Sequence, residues 1–319
     1  MTSFLDSAPI QARELRKSFG ERRALDGISF DLGEQEVLGY VGPNGAGKTT
    51  TLRILMGTEP SFGGELIIRG QRVTAQRKAL YAEMGYLPQS VAFAPWRTAA
   101  ETLWLLGRLS GMDDSRLRLR VGEVLERVGL GAEACTRVGA FSGGMRQRLG
   151  LAQAWLHQPR LLILDEPFNH LDPAGRVHLK QLLLELNRAG AAILFSSHIL
   201  TDVEELVHRL VVIHRGKAHF TGTASQLRQS HAGVAAVEVV TNLGGAQAAR
   251  LVELAGVSVV REIAPDRLRV EFAPGAEVEA VTTSVVQWVL NAGGTIRGVL
   301  PQEPTLEEII AKLGGAAET

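Results

Sequence analysis

The chain has 319 residues, enough for about two domains and for a sizeable hydrophobic core. It carries 34 lysine and arginine residues against 34 aspartate and glutamate residues, so nothing in its charge balance favours nucleic acid as the main partner. Cys135 is the only cysteine, which excludes an internal disulfide framework or a cysteine metal cluster and fits a reduced, cytosolic setting.

The apolar segments are too short to cross a membrane. They run from Leu161 to Leu164, from Ala191 to Phe195 and from Leu210 to Ile213, whereas a membrane-spanning helix needs roughly 18 apolar residues. The N-terminus also lacks a basic segment followed by an apolar run, so we expect no signal peptide. We therefore expect that this chain does not itself form a membrane path.

Residues 42–50 form a phosphate-binding loop. They read Gly-Pro-Asn-Gly-Ala-Gly-Lys-Thr-Thr and satisfy G-x-x-x-x-G-K-[ST]. A buried strand is predicted before them at 37–41 and a helix after them at 50–56, which is the setting that the motif requires. A flexible glycine turn is the alternative, and the correct flanking elements disfavour it. The residues predicted to bind nucleotide here are Gly42, Asn44, Gly45, Gly47, Lys48, Thr49 and Thr50.

Two roles in this loop follow from chemistry. The glycines allow backbone N–H groups to turn towards phosphate oxygens, and the helix N-terminus adds positive potential. Lys48 reaches the β- and γ-phosphates, while the hydroxyl of Thr49 is suited to ligate Mg²⁺. ATP and Mg²⁺ are therefore the expected ligands.

Residues 97–130 are predicted to be helical, with apolar side chains at helical spacing and arginines between them. The arginines allow a nucleic-acid surface as an interpretation. A solvated helix face is favoured because acidic residues such as Glu123 interrupt the basic run.

A second anion-binding surface follows at Ser142, Gly143 and Gly144. A serine and two glycines that open an apolar helical stretch offer the N-terminus of a helix to an anion. The first loop does not need this surface, so the chain contains two phosphate-binding surfaces. This arrangement is unusual for a single-site enzyme, but it makes sense if each surface binds a different end of one nucleotide across a dimer.

Between Leu161 and Ile213, short apolar runs alternate with helical stretches, as expected for a doubly wound α/β domain with a parallel sheet. The first run ends in Asp165 and Glu166. Asp165 is suited to hold Mg²⁺ through water, and Glu166 to orient or deprotonate an attacking water. An ordinary solvated turn is the alternative, which the preceding phosphate loop disfavours.

The sequence changes character after about residue 229. Strand and helix patterns over 237–299 follow the order β-α-β-β-α-β, which is that of a ferredoxin-like domain. A last helix is predicted beyond it, with Thr305 and Glu308 spaced as a capping box. No metal-ligand spacing or catalytic pair occurs in residues 230–300, so a regulatory or dimer-supporting role is expected there.

These motifs resemble those of the ATP-binding cassette (ABC) ATPase family over residues 10–228. Residues 141–148, Phe-Ser-Gly-Gly-Met-Arg-Gln-Arg, look like the ABC signature. The remaining matches are Phe19 at the position of the aromatic that stacks on adenine, Gln89 as the Q-loop glutamine, Leu171-Asp172-Pro173 as the D-loop and His198 as the switch histidine. Six motifs in the family's order make the resemblance specific.

The resemblance implies an ABC cassette with a RecA-like core, an antiparallel β subdomain and a helical subdomain. Two cassettes would pair head to tail and bury two ATP molecules, with Lys48 and Thr49 acting in cis and Ser142 and Gly144 in trans. Gln89 would sense Mg²⁺ and the lytic water where cassettes contact membrane subunits, and His198 would bond the γ-phosphate. ATP binding would close the dimer, and hydrolysis would reopen it.

Three residues depart from the family pattern. Phe141 replaces the usual leucine before the signature serine, and Phe168 and His170 stand where threonine and glycine or serine are common. The change at Phe141 is a modest change of apolar shape. Phe168 and His170 concern the side of the D-loop that faces the dimer, and the catalytic core is unchanged. His170 also offers a pH-sensitive contact as a hypothesis.

We therefore predict an ABC transporter ATPase, an exporter subunit on the cytoplasmic face of the membrane that works with separate permease chains. We expect a homodimer or a heterodimer of cassettes and no nucleic acid. The predicted domains are the cassette at 8–228, the ferredoxin-like domain at 235–300 and a helix and tail at 301–319.

Two other classes of protein remain open as alternatives. A soluble ABC ATPase of DNA repair or translation is disfavoured because the chain lacks sustained heptads between its phosphate loop and signature and has a single set of motifs. A nucleotide sensor without catalysis is disfavoured by the presence of Glu166 and His198.

Overall fold

The computed structural model describes residues 8–73, 83–199, 204–230, 236–273, 275–302 and 309. The chain divides into two compact units, with the division between Thr223 and Ala224. The predicted boundaries at residues 228, 235 and 300 differ from this division and stay predictions. The predicted C-terminal helix, including Thr305 and Glu308, lies outside the described residues apart from position 309.

The first unit alternates strands and helices along its length. In chain order its elements are β1 (Ile10–Phe19), β2 (Arg22–Leu32), β3 (Val37–Val41), α1 (Lys48–Leu55), β4 (Gly63–Ile68), β5 (Gln71–Arg72), β6 (Met84–Leu87), α2 (Ala99–Leu109), α3 (Asp114–Arg127), α4 (Gly143–Trp155), β7 (Leu161–Asp165), α5 (Pro173–Arg188), β8 (Ala192–Ser197), β9 (Arg209–His214) and β10 (Lys217–Gly222).

A six-stranded sheet forms the centre of this unit, in the order β10-β9-β3-β8-β7-β6. Strands β9, β3, β8, β7 and β6 pair in parallel, and β10 is an antiparallel edge strand. Every residue of β3, β7 and β8 is buried, as expected for strands covered on both faces. The parallel arrangement brings the C-terminal ends of β3, β7 and β8 to one edge of the sheet.

A separate antiparallel sheet has the order β2-β1-β4-β5. The ladder between β1 and β2 contains register shifts, for example between Ala12 and Leu15. Residues of this sheet share one hydrophobic core with those of β3, α1, β7 and β8. The antiparallel sheet is thereby packed against the central sheet and against α1, the helix that follows the phosphate loop.

Helices α2 and α3 occupy the helical region predicted at 97–130, and α4 is the helix predicted after the signature. Helix α2 begins at a complete capping box formed by Thr98 and Glu101. Helix α3 buries Leu117, Val121 and Val124 on one face, so the apolar spacing seen in the sequence corresponds to its packed side. The arginines between those positions are mostly exposed, except for Arg120, which is buried.

The second unit has its own sheet and its own core. Four strands pair in antiparallel fashion in the order β12-β13-β11-β14. The predicted helix at 245–254 is split into a short α-helix and a 3₁₀ turn (Ala249–Glu253). Its elements are α6 (Ala224–Ser230), β11 (Ala236–Thr241), α7 (Gly245–Ala248), β12 (Val257–Ala264), β13 (Arg267–Phe272), α8 (Val278–Asn291) and β14 (Ile296–Gln302).

Among the described residues, no helix has both the length and the apolar character needed to cross a membrane.

Candidate functional site

The phosphate loop connects β3 to α1, and its glycines are required by close packing. A Cβ at position 42 would lie 2.1 Å from the carbonyl oxygen of Ile213. Gly47 has a φ of 111°, and a Cβ added to it would lie 2.7 Å from the carbonyl oxygen of Ala24. A side chain at either position would force the backbone to move, so both glycines fix the path of the loop.

Lys48 is the first residue of α1, and only 6% of it is exposed. Its Nζ donates to the carbonyl oxygens of Gly42 at 2.7 Å and Pro43 at 3.3 Å, and lies 3.2 Å from Oε1 of Glu166. The ammonium group is therefore held at the mouth of the loop, where it opposes a buried carboxylate.

Asp165 is the last residue of β7 and is fully buried. Its Oδ1 accepts a hydrogen bond from Ser196 Oγ at 2.6 Å. Burial raises the pKa of Asp165 above its ordinary value, and the nearby hydroxyls of Ser196 and Thr49 oppose that shift. Its second oxygen, Oδ2, has no hydrogen-bond partner among the described residues.

Glu166 follows at the end of the strand with 4% of it exposed. Its backbone has a φ of 52°, in the left-handed region that favours glycine, and it precedes Pro167. Such a conformation costs on the order of 1–3 kcal/mol and is typical of functional positions. The residue before a proline is also normally extended, which adds to the strain.

His198 lies across from Glu166, just after β8. Its Nδ1 is 2.8 Å from Oε2 of Glu166. Because a carboxylate accepts hydrogen bonds and does not donate them, Nδ1 must carry the hydrogen in this contact. The carboxylate of Glu166 is thus bonded on one oxygen by Lys48 and on the other by His198.

Of these side chains, Lys48 and Glu166 face a polar cleft of about 460 Å³, whereas Asp165 and His198 contact its lining residues without lining it themselves. It brings together the phosphate loop, Gln89, Glu166 and Phe19, which are far apart in the sequence. The ring of Phe19 is 47% exposed, with Lys17 Nζ 4.9 Å from its centroid. The cleft is lined by Phe19, Arg22, Ala24, Asn44, Gly45, Gly47, Lys48, Thr49, Thr50, Gln89 and Glu166.

The signature residues do not line this cleft. Ser142 is the N-cap of α4 and accepts a hydrogen bond from the backbone N–H of Met145 at 3.2 Å. Gly143 and Gly144 pack against His170 of the D-loop: an added Cβ on Gly143 would lie 3.3 Å from His170 Cβ. Within one chain, then, the two predicted anion-binding surfaces stay apart.

Several residues at this site were missed by sequence reasoning. Arg22 and Ala24 line the cleft. The only feature of the sequence that pointed to them is the glycine turn beside them. Ser196 and Gln147 contact the backbone around Glu166. Ser196 stood two positions before His198, while nothing in the sequence marked the amide of Gln147 as a contact of Glu166.

A fold of this kind, with a phosphate loop facing a strand that ends in two acidic residues, is matched by known proteins. Residues 25–169 match the family model described as ABC transporter. The chain is 31% identical over 307 residues to the linearmycin resistance ATP-binding protein LnrL of Bacillus subtilis (strain 168), covering 96% of this chain and 98% of that protein. The chain belongs to the ABC transporter ATP-binding protein family.

Further comparisons extend this family assignment. The chain is 31% identical over 312 residues to the Nod factor export ATP-binding protein I of Rhizobium sp. (strain N33), covering 98% of both proteins. It also matches the solved structure of an ATP binding subunit of an ABC transporter, at 28% identity and a TM-score of 0.64, over 70% of this chain and 93% of that one. As a member of this family, the protein is an ABC transporter ATPase that binds and hydrolyses ATP.

Proposed function

We propose that this ABC ATPase energises export through a separate membrane permease and that Glu166 is its catalytic base. The contact that carries the proposal is the buried carboxylate of Glu166, which lies 3.2 Å from the phosphate-loop Lys48 and 2.8 Å from His198. The direction of transport follows the full-length likeness to an export protein and to a resistance protein.

Each of these three side chains has a role that its chemistry supports. Lys48 binds the β- and γ-phosphates, and its short distance to Glu166 places the carboxylate next to the reacting phosphorus. Glu166 takes a proton from the attacking water, which Gln89 helps to position. His198 hydrogen-bonds the γ-phosphate and fixes the carboxylate through Nδ1.

The remaining cleft residues bind the rest of the nucleotide. The exposed ring of Phe19 stacks on adenine, although it lacks the hydroxyl of a tyrosine. The backbone N–H groups of the glycine loop surround the phosphates, with Asn44, Gly45 and Thr50 among the lining residues.

Thr49 and Asp165 would hold Mg²⁺, with Gln89 close by. The fit rests on Asp165, whose buried Oδ2 has no hydrogen-bond partner in the described part of the chain and whose charged form is disfavoured by burial. Hydroxyl and carboxylate oxygens are also the donors that Mg²⁺ prefers. When bound, the ion neutralises charge on the β- and γ-phosphates during phosphoryl transfer.

The working unit is a dimer of cassettes, either two copies of this chain or a pair with a related cassette. The signature residues Ser142, Gly143 and Gly144 lie outside the cleft of their own chain. A partner cassette would bring its signature to this cleft and so contribute the second phosphate-binding surface to each ATP.

We place the permease at a second cleft beside the Q-loop. This cleft of about 880 Å³ runs from Pro88, next to Gln89, to helices α2, α3 and α4. Trp96, between Gln89 and α2, is 71% exposed, which suits a surface that a partner covers. The protein would therefore sit on the cytoplasmic face of the membrane, bound to its permease rather than to nucleic acid.

For the second unit we propose a ferredoxin-like domain with a regulatory or dimer-supporting role, at about residues 235–300. Its strand order, β12-β13-β11-β14, with helices after the first and third strands in sequence, supports that assignment. The cassette would extend over about residues 8–228.

The rival function is a soluble ABC ATPase of DNA repair or translation. To separate the two, the tagged chain is expressed in its own cell, membranes are extracted in mild detergent, and the co-purifying proteins are identified. We expect a stoichiometric multi-span protein. Recovery with ribosomes or nucleic acid alone would favour the rival.

The base assignment is tested by Glu166→Gln, which keeps the shape of the side chain but removes its basicity. We expect turnover to fall by about 10²–10⁴-fold, while ATP binds and holds a stable dimer, measured by phosphate release and by size-exclusion chromatography with ATP. Glu262→Gln, at an exposed position of β12, is the matched control. Undiminished ATPase activity of Glu166→Gln would refute the assignment.

A further inference from the structure

Gln147 connects the helix that follows the signature to the backbone of Glu166. It lies on α4, only 4% of it is exposed, and its Nε2 donates to the carbonyl oxygens of Glu166 and Pro167, both at 3.1 Å. Both partners are acceptors, and only the amide nitrogen has two hydrogens to give them. The orientation of the amide is therefore determined by its surroundings.

Ser196 holds the other side of the same residue. Its Oγ accepts a hydrogen bond from the backbone N–H of Glu166 at 2.8 Å and donates to Oδ1 of Asp165 at 2.6 Å. Ser196 is completely buried on β8. One hydroxyl thus ties together the two acidic residues at the end of β7.

Together these two side chains bond the N–H and the carbonyl of a residue whose backbone is strained. Glu166 has a φ of 52° before a proline, and a strained backbone persists only where its surroundings over-determine it. Without these bonds the peptide groups would lose buried hydrogen bonds and the backbone would be free to relax towards an extended form. The carboxylate would then move away from Lys48 and His198.

We propose that Gln147 and Ser196 are positioning residues that hold Glu166 in its left-handed conformation and thereby aim its carboxylate at the reacting water. This inference rests on the proposed role of Glu166 as base. Neither side chain lines the nucleotide cleft. Gln147 donates to the backbone of Glu166 and Pro167, whereas Ser196 also bonds Asp165, so Gln147 gives the more direct test of positioning.

The first test replaces Gln147 by methionine, which keeps the length of the side chain and removes its hydrogen-bond donors. A misplacement of about 1 Å at a reacting group costs roughly 10²-fold in rate, so we expect kcat to fall between about 10-fold and 100-fold. The Kd for Mg²⁺-ATP, measured by calorimetry, should stay within about twofold because Lys48 and the loop are untouched.

Gln181→Met on α5 is the matched control. The side chain of Gln181 is exposed and lines neither the nucleotide cleft nor the cleft beside the Q-loop, so both its kcat and its Kd should match the unmodified protein. Rates are normalised to the stoichiometry of ATP binding, which removes any loss from unfolded protein. Equal kcat values for Gln147→Met and Gln181→Met would overturn the proposal.

Ser196 provides an independent second test. Because Ser196 also bonds Asp165, the Kd is measured here for ATP in EDTA. Ser196→Ala should lower kcat in Mg²⁺ without a comparable change in that Kd, and Ser196→Thr, which retains a hydroxyl, should recover most of the rate. A Ser196→Ala variant with unchanged kcat would overturn the part of the proposal that concerns Ser196, whatever the result at Gln147.

The double variant Glu166→Gln with Gln147→Met separates this proposal from the base assignment. If Gln147 acts through Glu166, the second substitution should not lower the residual activity further. An additional 10-fold loss would refute positioning and leave the base assignment intact. If instead Glu166→Gln alone retains full activity, the base assignment itself fails.

Discussion

Asp165 and Glu166 are adjacent in the sequence, but the surroundings of their two carboxylates differ. Asp165 is fully buried, one of its oxygens has no hydrogen-bond partner among the residues that the structure describes, and its charged form is disfavoured mainly by burial. Glu166 is bonded on both oxygens, to Lys48 and to His198. One carboxylate therefore keeps a coordination position available, while the other is held in a single orientation.

The buried charge of Asp165 lowers the stability of the folded protein, and this loss can be measured. Because burial raises its pKa in the folded protein, the charged form at neutral pH opposes folding. We expect Asp165→Asn to raise the Tm of the protein in EDTA without nucleotide by a few degrees. Asn keeps an oxygen for the hydroxyl of Ser196 but has no charge to bury.

The pH dependence of this gain in Tm follows from the direction in which the pKa of Asp165 is shifted. Above the raised pKa, Asp165 is charged in the folded and unfolded states, so the full penalty is present; below the unfolded pKa it is neutral in both, and the penalty is gone. The gap in Tm between the two proteins should therefore shrink as the pH falls. A difference in Tm that widens towards acid pH would contradict this account. So would an Asp165→Asn variant that Mg²⁺-ATP stabilises as much as it stabilises the unmodified protein.

At the scale of helices and strands, the sequence predicts elements whose signals lie in neighbouring residues. It does not predict the contacts between segments that are distant in the sequence. The strand predicted at 37–41 and the helix predicted after the phosphate loop at 50–56 are observed as β3 and α1, because their signals lie within a few residues of each other. The same holds for β7 and β8, whose apolar runs are buried on both faces. Parallel pairing then explains why Lys48, Glu166 and His198 meet.

The contacts of Gln147 and Ser196 were not predictable in this way. They depend on the side on which α4 packs and on the pairing of β7 with β8, in which Asp165 stands opposite Ser196. The left-handed backbone of Glu166 also has no local signal, since neither glutamate nor a following proline favours it. Such features are determined by how distant segments pack together and not by the conformational propensity of each residue.

Two glycines give opposite predictions for the same substitution. Gly122 lies inside α3 with open space around an added Cβ, so Gly122→Ala should stabilise the protein by about 0.5–1 kcal/mol. Gly42→Ala would place a Cβ 2.1 Å from the carbonyl oxygen of Ile213. It should destabilise by roughly 1–3 kcal/mol and impair ATP binding.

Urea unfolding of both variants tests this pair, with ATP binding measured by calorimetry. The Gly122 variant serves as the control for a general effect of alanine, because it changes a helix far from the phosphate loop in sequence. If Gly42→Ala binds ATP and unfolds like the unmodified chain, then the loop is not held against β9 as the structure shows.

At the scale of the whole molecule, the chain contains two compact units, each with its own hydrophobic core. The residues that line the nucleotide cleft all belong to the first unit. A ligand that binds one folded unit stabilises that unit by RT ln(1 + [L]/Kd). Nucleotide should therefore affect the two units unequally.

We expect differential scanning calorimetry of the full chain to resolve two unfolding transitions. At an ATP concentration of about 100 times Kd, binding contributes about 2.7 kcal/mol, which should raise the transition of the first unit by several degrees and leave the other in place. Lys48→Ala is the control: it removes the buried ammonium from the phosphate loop and should abolish the shift while keeping both transitions. A single transition that moves as one with ATP would show instead that the second unit unfolds together with the nucleotide-binding unit. The regulatory role proposed for the second unit would then have to act through that shared stability.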